Sequence, residues 1–206
     1  MDELTEYLLY TKYYRITELE CILNKKIIIT PEHVKCIKQY HIIKLFKKYG
    51  YVFTEDDYIY LMLNRNNAFE FISDDEKTNK LCVIAVKQYG QNLRSIPKNK
   101  ITDEICKLAI QQNYHAFKYV PTDKKTYELC KTAVQQAGNA LQYVPDNKKT
   151  DELYKIAVQQ NGYALQYVPE DKKTIDICRI AVSQCIDSLY FVPEDIYEKM
   201  FNHKNT

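Results

Sequence analysis

Residues 150–173 read TDELYKIAVQQNGYALQYVPEDKK, and this stretch decides the fold. Its first residue recurs as a threonine every 24 residues, at Thr30, Thr54, Thr78, Thr102, Thr126, Thr150 and Thr174. Five of the 6 prolines keep the same step, at Pro97, Pro121, Pro145, Pro169 and Pro193. A fixed period of this length is typical of a solenoid, in which similar units stack on one another.

The unit itself predicts a helical hairpin. Thr150 is a good N-cap, and acidic Asp151 and Glu152 follow at the positive end of the helix. Apolar residues then recur at helical spacing until Gly162, where a glycine just past the C-cap would end the helix. A second helix of one to two turns is predicted to follow, and Pro169 ends it because the residue before a proline avoids the α region.

Two further positions of the repeat predict packing. One takes alanine, which we expect to be the close-approach point between the two helices, at Ala85, Ala109, Ala133, Ala157 and Ala181. The other takes cysteine or tyrosine, at Tyr58, Cys82, Cys106, Cys130, Tyr154 and Cys178. A position that accepts either residue type indicates side-chain packing and neither a disulfide nor a metal ligand.

The predicted fold is all-α: a right-handed-type α-solenoid of 24-residue helix–turn–short-helix repeats with atypical capping helices. Capping helices are expected over 1–29, two degenerate repeats over 30–77, five regular repeats over 78–193, and a last helix and tail over 194–206. The first degenerate repeat keeps an apolar face of Val34, Ile37, Ile42, Leu45 and Phe46. A leucine-rich repeat is the competing architecture, since its length range includes 24 residues, but its leucine signature is absent.

The segment AVQQNGYALQYVP, residues 157–169, resembles the repeat of the domain of unknown function family 4116. The likeness is close at 133–145 and 157–169, recognisable at 85–97 and 109–121, and weak at 61–73. This sequence carries proline where the family more often has serine, which would shorten the second helix. The resemblance implies helical repeats and a viral or host-interaction setting. It implies no activity and transfers no functional residue.

Composition narrows the class of protein. The formal net charge is only +2, so no global field attracts nucleic acid or anionic lipid. The acidic start at Asp2 and Glu3 does not resemble a signal peptide, and no apolar run is long enough to span a membrane. Together with 7 cysteines, which would remain reduced thiols, these features predict a cytoplasmic protein, in the host cytoplasm if viral.

No catalytic, cofactor-binding or metal-binding residue can be assigned from the sequence. The nearest approach to a metal cluster is His33, Cys36 and His41, but residue 41 lies well away from the direction that residues 33 and 36 share on a helix. The four scattered glycines cannot build a phosphate-binding loop. We therefore expect neither an enzyme nor a small-molecule substrate, and no cofactor.

Two ladders of residues are the candidates for binding another protein. One is a row of amides at Gln112, Gln136, Gln160 and Gln184, and the other is an aromatic row at Tyr119, Tyr143 and Tyr167. Glutamine could equally form an exposed polar row on helices, and the tyrosines could be half-buried packing residues. We predict a protein-interaction or scaffold module that presents these rows.

A third ladder supports an alternative function. Paired lysines recur in the return segments, at Lys124, Lys125, Lys148, Lys149, Lys172 and Lys173. A basic ridge of this kind could follow a phosphate backbone, so nucleic acid is the second candidate partner. Asp123, Asp146, Glu170 and Asp171 stand beside the lysines and weaken the positive field.

Overall fold

The computed structural model describes residues 2–10, 16–25, 27–38, 41–64 and 68–201. Every regular element in these ranges is an α-helix or a 3₁₀ helix, and they contain no strand. The predicted all-α repeat fold is confirmed. The chain divides into two compact units, Met1–Ala85 with Ser95–Lys100 (unit 1) and Val86–Arg94 with Ile101–Thr206 (unit 2). No described helix combines the length and the apolar character that a membrane span requires.

Unit 1 is built from less regular helices. They are α1 (Glu3–Tyr10), α2 (Ile16–Leu23), α3 (Pro31–Lys35), α4 (His41–Lys48), α5 (Glu55–Asn64), the 3₁₀ helix Ala68–Phe71, the first part of α6 (Asn79–Gln88) and the 3₁₀ turn Lys98–Lys100. The apolar face predicted for residues 30–53 is confirmed, because Val34, Ile37, Ile42, Leu45 and Phe46 are all buried. Phe53 and Tyr58 stack beside them, with ring centroids 5.3 Å apart.

Unit 2 repeats one pattern four times. Its long helices are α7 (Asp103–Gln112), α8 (Tyr127–Gln136), α9 (Asp151–Gln160) and α10 (Ile175–Gln184). Each is followed by a 3₁₀ helix, at Tyr114–Tyr119, Gly138–Tyr143, Gly162–Tyr167 and Ile186–Phe191. Short 3₁₀ turns form the returns at Thr122–Lys124, Asp146–Lys148 and Glu170–Lys172, and α11 (Glu194–Phe201) ends the described chain. Residues 202–206 of the last helix and tail predicted over 194–206 lie outside the described residues.

Threonine caps begin the long helices of unit 2, as the sequence predicts. The hydroxyl of Thr150 accepts a hydrogen bond of 3.2 Å from the backbone N–H of Leu153. Thr102, Thr126 and Thr174 make the same bond to the third residue after them. A hydroxyl in this place satisfies one of the N–H groups that the first helical turn leaves unpaired.

The glycine position has a different role from the one predicted. Helix α9 ends at Gln160, Asn161 adopts an extended backbone, and Gly162 opens the following 3₁₀ helix. Its φ angle is not positive, so no left-handed C-cap is present there. The short second helix is also 3₁₀ throughout, where one to two turns were expected without a defined type.

Space explains why glycine is needed. A Cβ atom on Gly138 would lie 2.2 Å from the carbonyl oxygen of Ala157, one repeat later. The same clash would arise between Gly90 and Ala109 and between Gly162 and Ala181, at 2.3 Å in both cases. The close approach therefore joins successive repeats, from the glycine to the alanine backbone, and the fully buried alanines mark that contact.

The cysteine position is a packing position, as predicted. Cys82, Cys106, Cys130 and Cys178 are buried, and all 7 cysteines are free. Burial raises the pKa of the Cys106 and Cys178 thiols to about 11. These thiols therefore stay protonated and unreactive at neutral pH.

Replacing Gly138 with alanine is expected to destabilise the protein by roughly 1–3 kcal/mol, because the new methyl group overpacks the contact with Ala157. Urea denaturation followed by circular dichroism measures the change. Gln135→Ala, an exposed substitution in the same repeat, should change stability by no more than about 0.5 kcal/mol. Equal stabilities of the two variants would contradict the steric role of this glycine.

Candidate interaction surface

The predicted amide row ends the four long helices of unit 2. Gln112, Gln136, Gln160 and Gln184 are all exposed. Gln112 is engaged within the fold, because its Oε1 accepts from the Gly90 backbone N–H and its Nε2 donates to the Gln88 carbonyl oxygen. Gln136, Gln160 and Gln184 make no side-chain hydrogen bond with any described residue. Three of the four predicted amides thus face solvent with donor and acceptor groups unused.

The predicted tyrosine row lies on the 3₁₀ helices. Tyr119 and Tyr167 are half-buried, and Tyr143 is 36% exposed. The ammonium of Lys118 lies 4.8 Å from the centroid of the Tyr119 ring. A hydrogen bond with Lys118, and then one with Arg94, lowers the pKa of the Tyr119 phenol below its usual range. The tyrosines are therefore shared between packing and the surface.

The lysine pairs separate into an outer and an inner member. Lys125 and Lys173 are buried, and their ammonium groups donate to backbone carbonyl oxygens of Tyr143 and Phe191, at 2.7 and 2.9 Å. Lys149 is half-buried and pairs with Asp146 at 2.8 Å. In unit 1 the equivalent Lys77 donates to the Ser95 carbonyl oxygen at 2.7 Å. Lys77, Lys125 and Lys173 hold the backbone of 3₁₀ helices, and Lys149 is engaged by Asp146, so the inner lysines offer little free charge to a polyanion.

The outer lysines retain some surface. Lys124 is half-buried and pairs with Asp103 at 3.1 Å, while Lys172 is exposed with Asp171 at 3.8 Å. Lys148 is half-buried and forms no ion pair with a described residue. The predicted basic ridge is thereby reduced from six lysines to three, two of them beside a carboxylate.

Lys125 is the least compensated of the inner lysines. No described carboxylate pairs with it, whereas Glu170 accompanies Lys173 and Asp74 accompanies Lys77. Its ammonium instead lies 4.8 Å from the centroid of the Phe117 ring. Burial accordingly lowers the pKa of Lys125 from its usual value of 10.5.

One exposed row was not found by the sequence analysis. The 3₁₀ helix Gly90–Ser95 follows α6, and its fifth residue is exposed, as is the fifth residue of each six-residue 3₁₀ helix that follows α7, α8, α9 and α10. We call these residues the 3₁₀ row: Arg94, Lys118, Gln142, Gln166 and Tyr190. They share the 24-residue step, but their residue types differ. The row therefore leaves no repeated residue type in the sequence. Its exposure becomes visible only once the position of each 3₁₀ helix is known.

The histidine and cysteine cluster in unit 1 has a structural role. His33 is buried, and its Nδ1 accepts from the Thr30 backbone N–H at 2.9 Å. Its Nε2 lies 3.1 Å from Asp2 Oδ1. The Thr5 backbone N–H, and then His33, lower the pKa of Asp2 to about 2. The side chain of His41 lies outside the described part, and the described residues contain no group of three potential metal ligands.

Unit 1 also has an open apolar groove of about 690 Å³. The segments 27–29 and 49–52 form its walls, and Ile28 and Val52 are 82% and 83% exposed at its edge. Ile28 and Val52 occupy the same position in successive repeats. In unit 2 that position holds the outer lysines Lys124, Lys148 and Lys172. The described lining residues include no carboxylate, lysine or histidine.

Comparison with known families agrees with this architecture. Residues 102–149 and 150–197 each match the model described as Domain of unknown function (DUF4116). Residues 102–197 belong to the DUF4116 family. Each DUF4116 match begins at a capping threonine and covers two of the 24-residue repeats. The likeness predicted for residues 85–97 lies before the matched DUF4116 segment. No curated protein and no solved structure matches the chain.

We expect the stability of the protein to depend on the ionisation of Lys125. The pKa of Lys125 is lower in the folded protein than the usual value of 10.5. At a pH between these two values the unfolded chain binds a proton that the folded protein does not, so stability should rise as the pH increases through this range. Lys125→Met cannot titrate, and a neutral lysine amine still donates to Tyr143. The wild type should therefore gain stability relative to Lys125→Met between about pH 7 and about pH 10.

Urea denaturation at both pH values measures this difference. Lys172→Met, which removes an exposed lysine from the next return but one, controls for the general effect of alkaline pH. The prediction is contradicted if the wild type and Lys125→Met differ by the same free energy of unfolding at both pH values. It is also contradicted if the higher pH stabilises Lys125→Met more than the wild type.

Proposed function

We propose that this chain is a non-catalytic module that binds another protein or serves as a scaffold for it. The observation that supports this function is the alignment of exposed, uncharged hydrogen-bonding groups in tandem repeats, seen in Gln136, Gln160 and Gln184. Each amide carries both a donor and an acceptor, so a row of them complements a polypeptide backbone. Half-exposed tyrosines on the adjoining 3₁₀ helices supply rigid apolar contact area, which protein interfaces favour.

The titratable groups in the interior support a non-catalytic role because they serve the fold. The most connected of them is Glu76, which accepts hydrogen bonds from Lys47, Ser73 and Tyr58. Its partial burial opposes ionisation, but the bonds from Lys47, Ser73 and Tyr58 lower its pKa below the usual value. A carboxylate that accepts three hydrogen bonds within the fold serves as a structural anion.

The alternative function, polyanion binding through the outer lysines, has weaker support. Lys124, Lys148 and Lys172 are three cations, and the first and last lie beside Asp103 and Asp171. Non-specific nucleic-acid affinity grows with the number of phosphates neutralised, so three partly compensated lysines would bind weakly at physiological salt.

We also propose a cytoplasmic setting. Its support is the set of 7 free cysteines, four of them buried in the packing position, which suits a reducing compartment. A viral origin and a host-directed role are supported by the family resemblance alone.

Affinity capture of the tagged chain from cells of its natural setting, with and without nuclease, tests the proposed function. We expect a protein partner that survives nuclease and is reduced about tenfold or more by the combined substitutions Gln136→Ala, Gln160→Ala and Gln184→Ala. The matched control combines Glu128→Ala, Lys155→Ala and Arg179→Ala, which remove exposed side chains from the same three helices.

Two results would count against a protein partner. Recovery that disappears with nuclease, and that falls when Lys124, Lys148 and Lys172 are changed to glutamate, would instead indicate nucleic acid. No co-purifying protein at any of several salt concentrations would exclude an interaction of useful affinity.

A further inference from the structure

The 3₁₀ row is a regular array of outward-facing side chains within unit 2. The residue before each of its first four members, Leu93, Phe117, Leu141 and Leu165, is buried in the core. The buried anchor fixes the direction of the exposed residue that follows it. Neighbouring 3₁₀ helices from Tyr114 to Phe191 contact one another, so adjacent members of the row stand about one helix spacing apart, roughly 8–10 Å.

The two amides of the row are oriented by the same local bond. Gln142 Nε2 donates to the Asn139 carbonyl oxygen, and Gln166 Nε2 donates to the Tyr163 carbonyl oxygen, both at 3.0 Å. One N–H of each Nε2 is therefore used, and no described residue donates to either Oε1. The surface presents two acceptors one repeat apart, already held in place, and a ligand N–H would meet them with little loss of side-chain entropy.

Positive charge lies at one end of this face and negative charge at the other. Arg94 and Lys118 supply positive charge at one end, around the Tyr119 hydroxyl. Asp187 supplies negative charge at the other end, where it accepts a hydrogen bond of 2.9 Å from the Tyr163 hydroxyl. Tyr190, the last member of the row, is 87% exposed. A ligand with an acidic group at one end and an apolar group at the other would bind along the row in one orientation, with its acidic end near Lys118 and its apolar end near Tyr190.

The spacing of the row selects a backbone conformation for such a ligand. A polyproline II helix repeats every three residues and rises about 3.1 Å per residue, so it presents the same face about every 9 Å. A β-strand reverses its face after three residues and would offer an N–H to only one of the two amides. Polyproline II backbone groups also have no internal hydrogen bonds and remain free to donate, and aromatic surfaces such as Tyr143 and Tyr167 suit their docking.

From this geometry we propose that the 3₁₀ row binds a polyproline II segment of a partner protein, about 12 residues long, with acidic residues at the Arg94–Lys118 end. The backbone N–H groups of non-proline residues donate to Gln142 and Gln166, and an apolar side chain contacts Tyr190. This inference rests on the proposed protein-binding function and specifies the chemistry of the partner.

Fluorescence anisotropy with the full chain and three labelled 12-residue peptides tests the proposal. The first peptide has proline at every third position, two aspartates at one end and leucine at the other. The second replaces the aspartates with lysines, and the third keeps the composition but moves the aspartates to the centre. We expect the first peptide to bind about tenfold or more tightly than the other two, and its affinity to fall with salt.

Variants of the chain give the decisive contrast. Lys118→Glu should weaken the acidic peptide about tenfold or more and should strengthen the lysine peptide, a charge-swap rescue that misfolding cannot imitate. Gln142→Ala with Gln166→Ala should weaken every peptide that binds. Lys155→Glu, an exposed lysine of helix α9 outside the row, is the matched control and should leave all affinities unchanged.

The proposal is wrong if no peptide binds, if acidic and lysine peptides bind equally, or if an oligonucleotide displaces the acidic peptide while Lys118→Glu has no effect. Its failure can be told apart from failure of the proposed function. A cellular partner lost with the Gln136, Gln160 and Gln184 substitutions but retained by Lys118→Glu would preserve protein binding and reject this site.

Discussion

The contact between a glycine and the alanine carbonyl of the next repeat sets how closely the helices of unit 2 can stack. At Gly90, Gly138 and Gly162 a Cβ atom would lie 2.2–2.3 Å from that carbonyl oxygen, so a larger residue would force the neighbouring backbone to move. The alanines that accept this close approach are fully buried. Two repeats of the unit depart from the rule, with Tyr114 and Ile186 in the glycine position, and Ile186 is 65% exposed.

The buried lysines are the second device that joins elements within each unit. Their ammonium groups reach backbone carbonyl oxygens 18 residues later, as from Lys125 to Tyr143 and from Lys173 to Phe191. A buried cation is costly unless it is paired, and the chain compensates in two ways. Lys173 has Glu170 beside it, whereas Lys125 has the face of Phe117 and a lowered pKa. Both lysines fix the end of a 3₁₀ helix and hence the exposed residues on it.

The surface that we propose for binding follows from these packing constraints. A 3₁₀ helix of six residues buries its fourth residue and exposes its fifth, so stacking the repeats places the exposed residues in a line. Because the line needs no particular residue type for stability, its members are free to differ from repeat to repeat. Arg94, Lys118, Gln142, Gln166 and Tyr190 use that freedom to build a surface with a basic end and an aromatic end. The repeat sets the spacing of these residues, and their different side chains would set which ligand the surface prefers.

Much of this protein could be predicted from the sequence because the relevant physics is local. The 24-residue step, the threonine caps and the apolar spacing determined an all-α repeat fold, and a position filled by either cysteine or tyrosine indicated packing. What remained depended on contacts between residues far apart in the chain. Glycine at 138 could be a C-cap or a close approach, and only the carbonyl of Ala157 decided between them. The two lysines at 124 and 125 look alike in sequence, yet one lies at the surface and the other is buried against Phe117, because the rotation of each return relative to the core is set by tertiary packing.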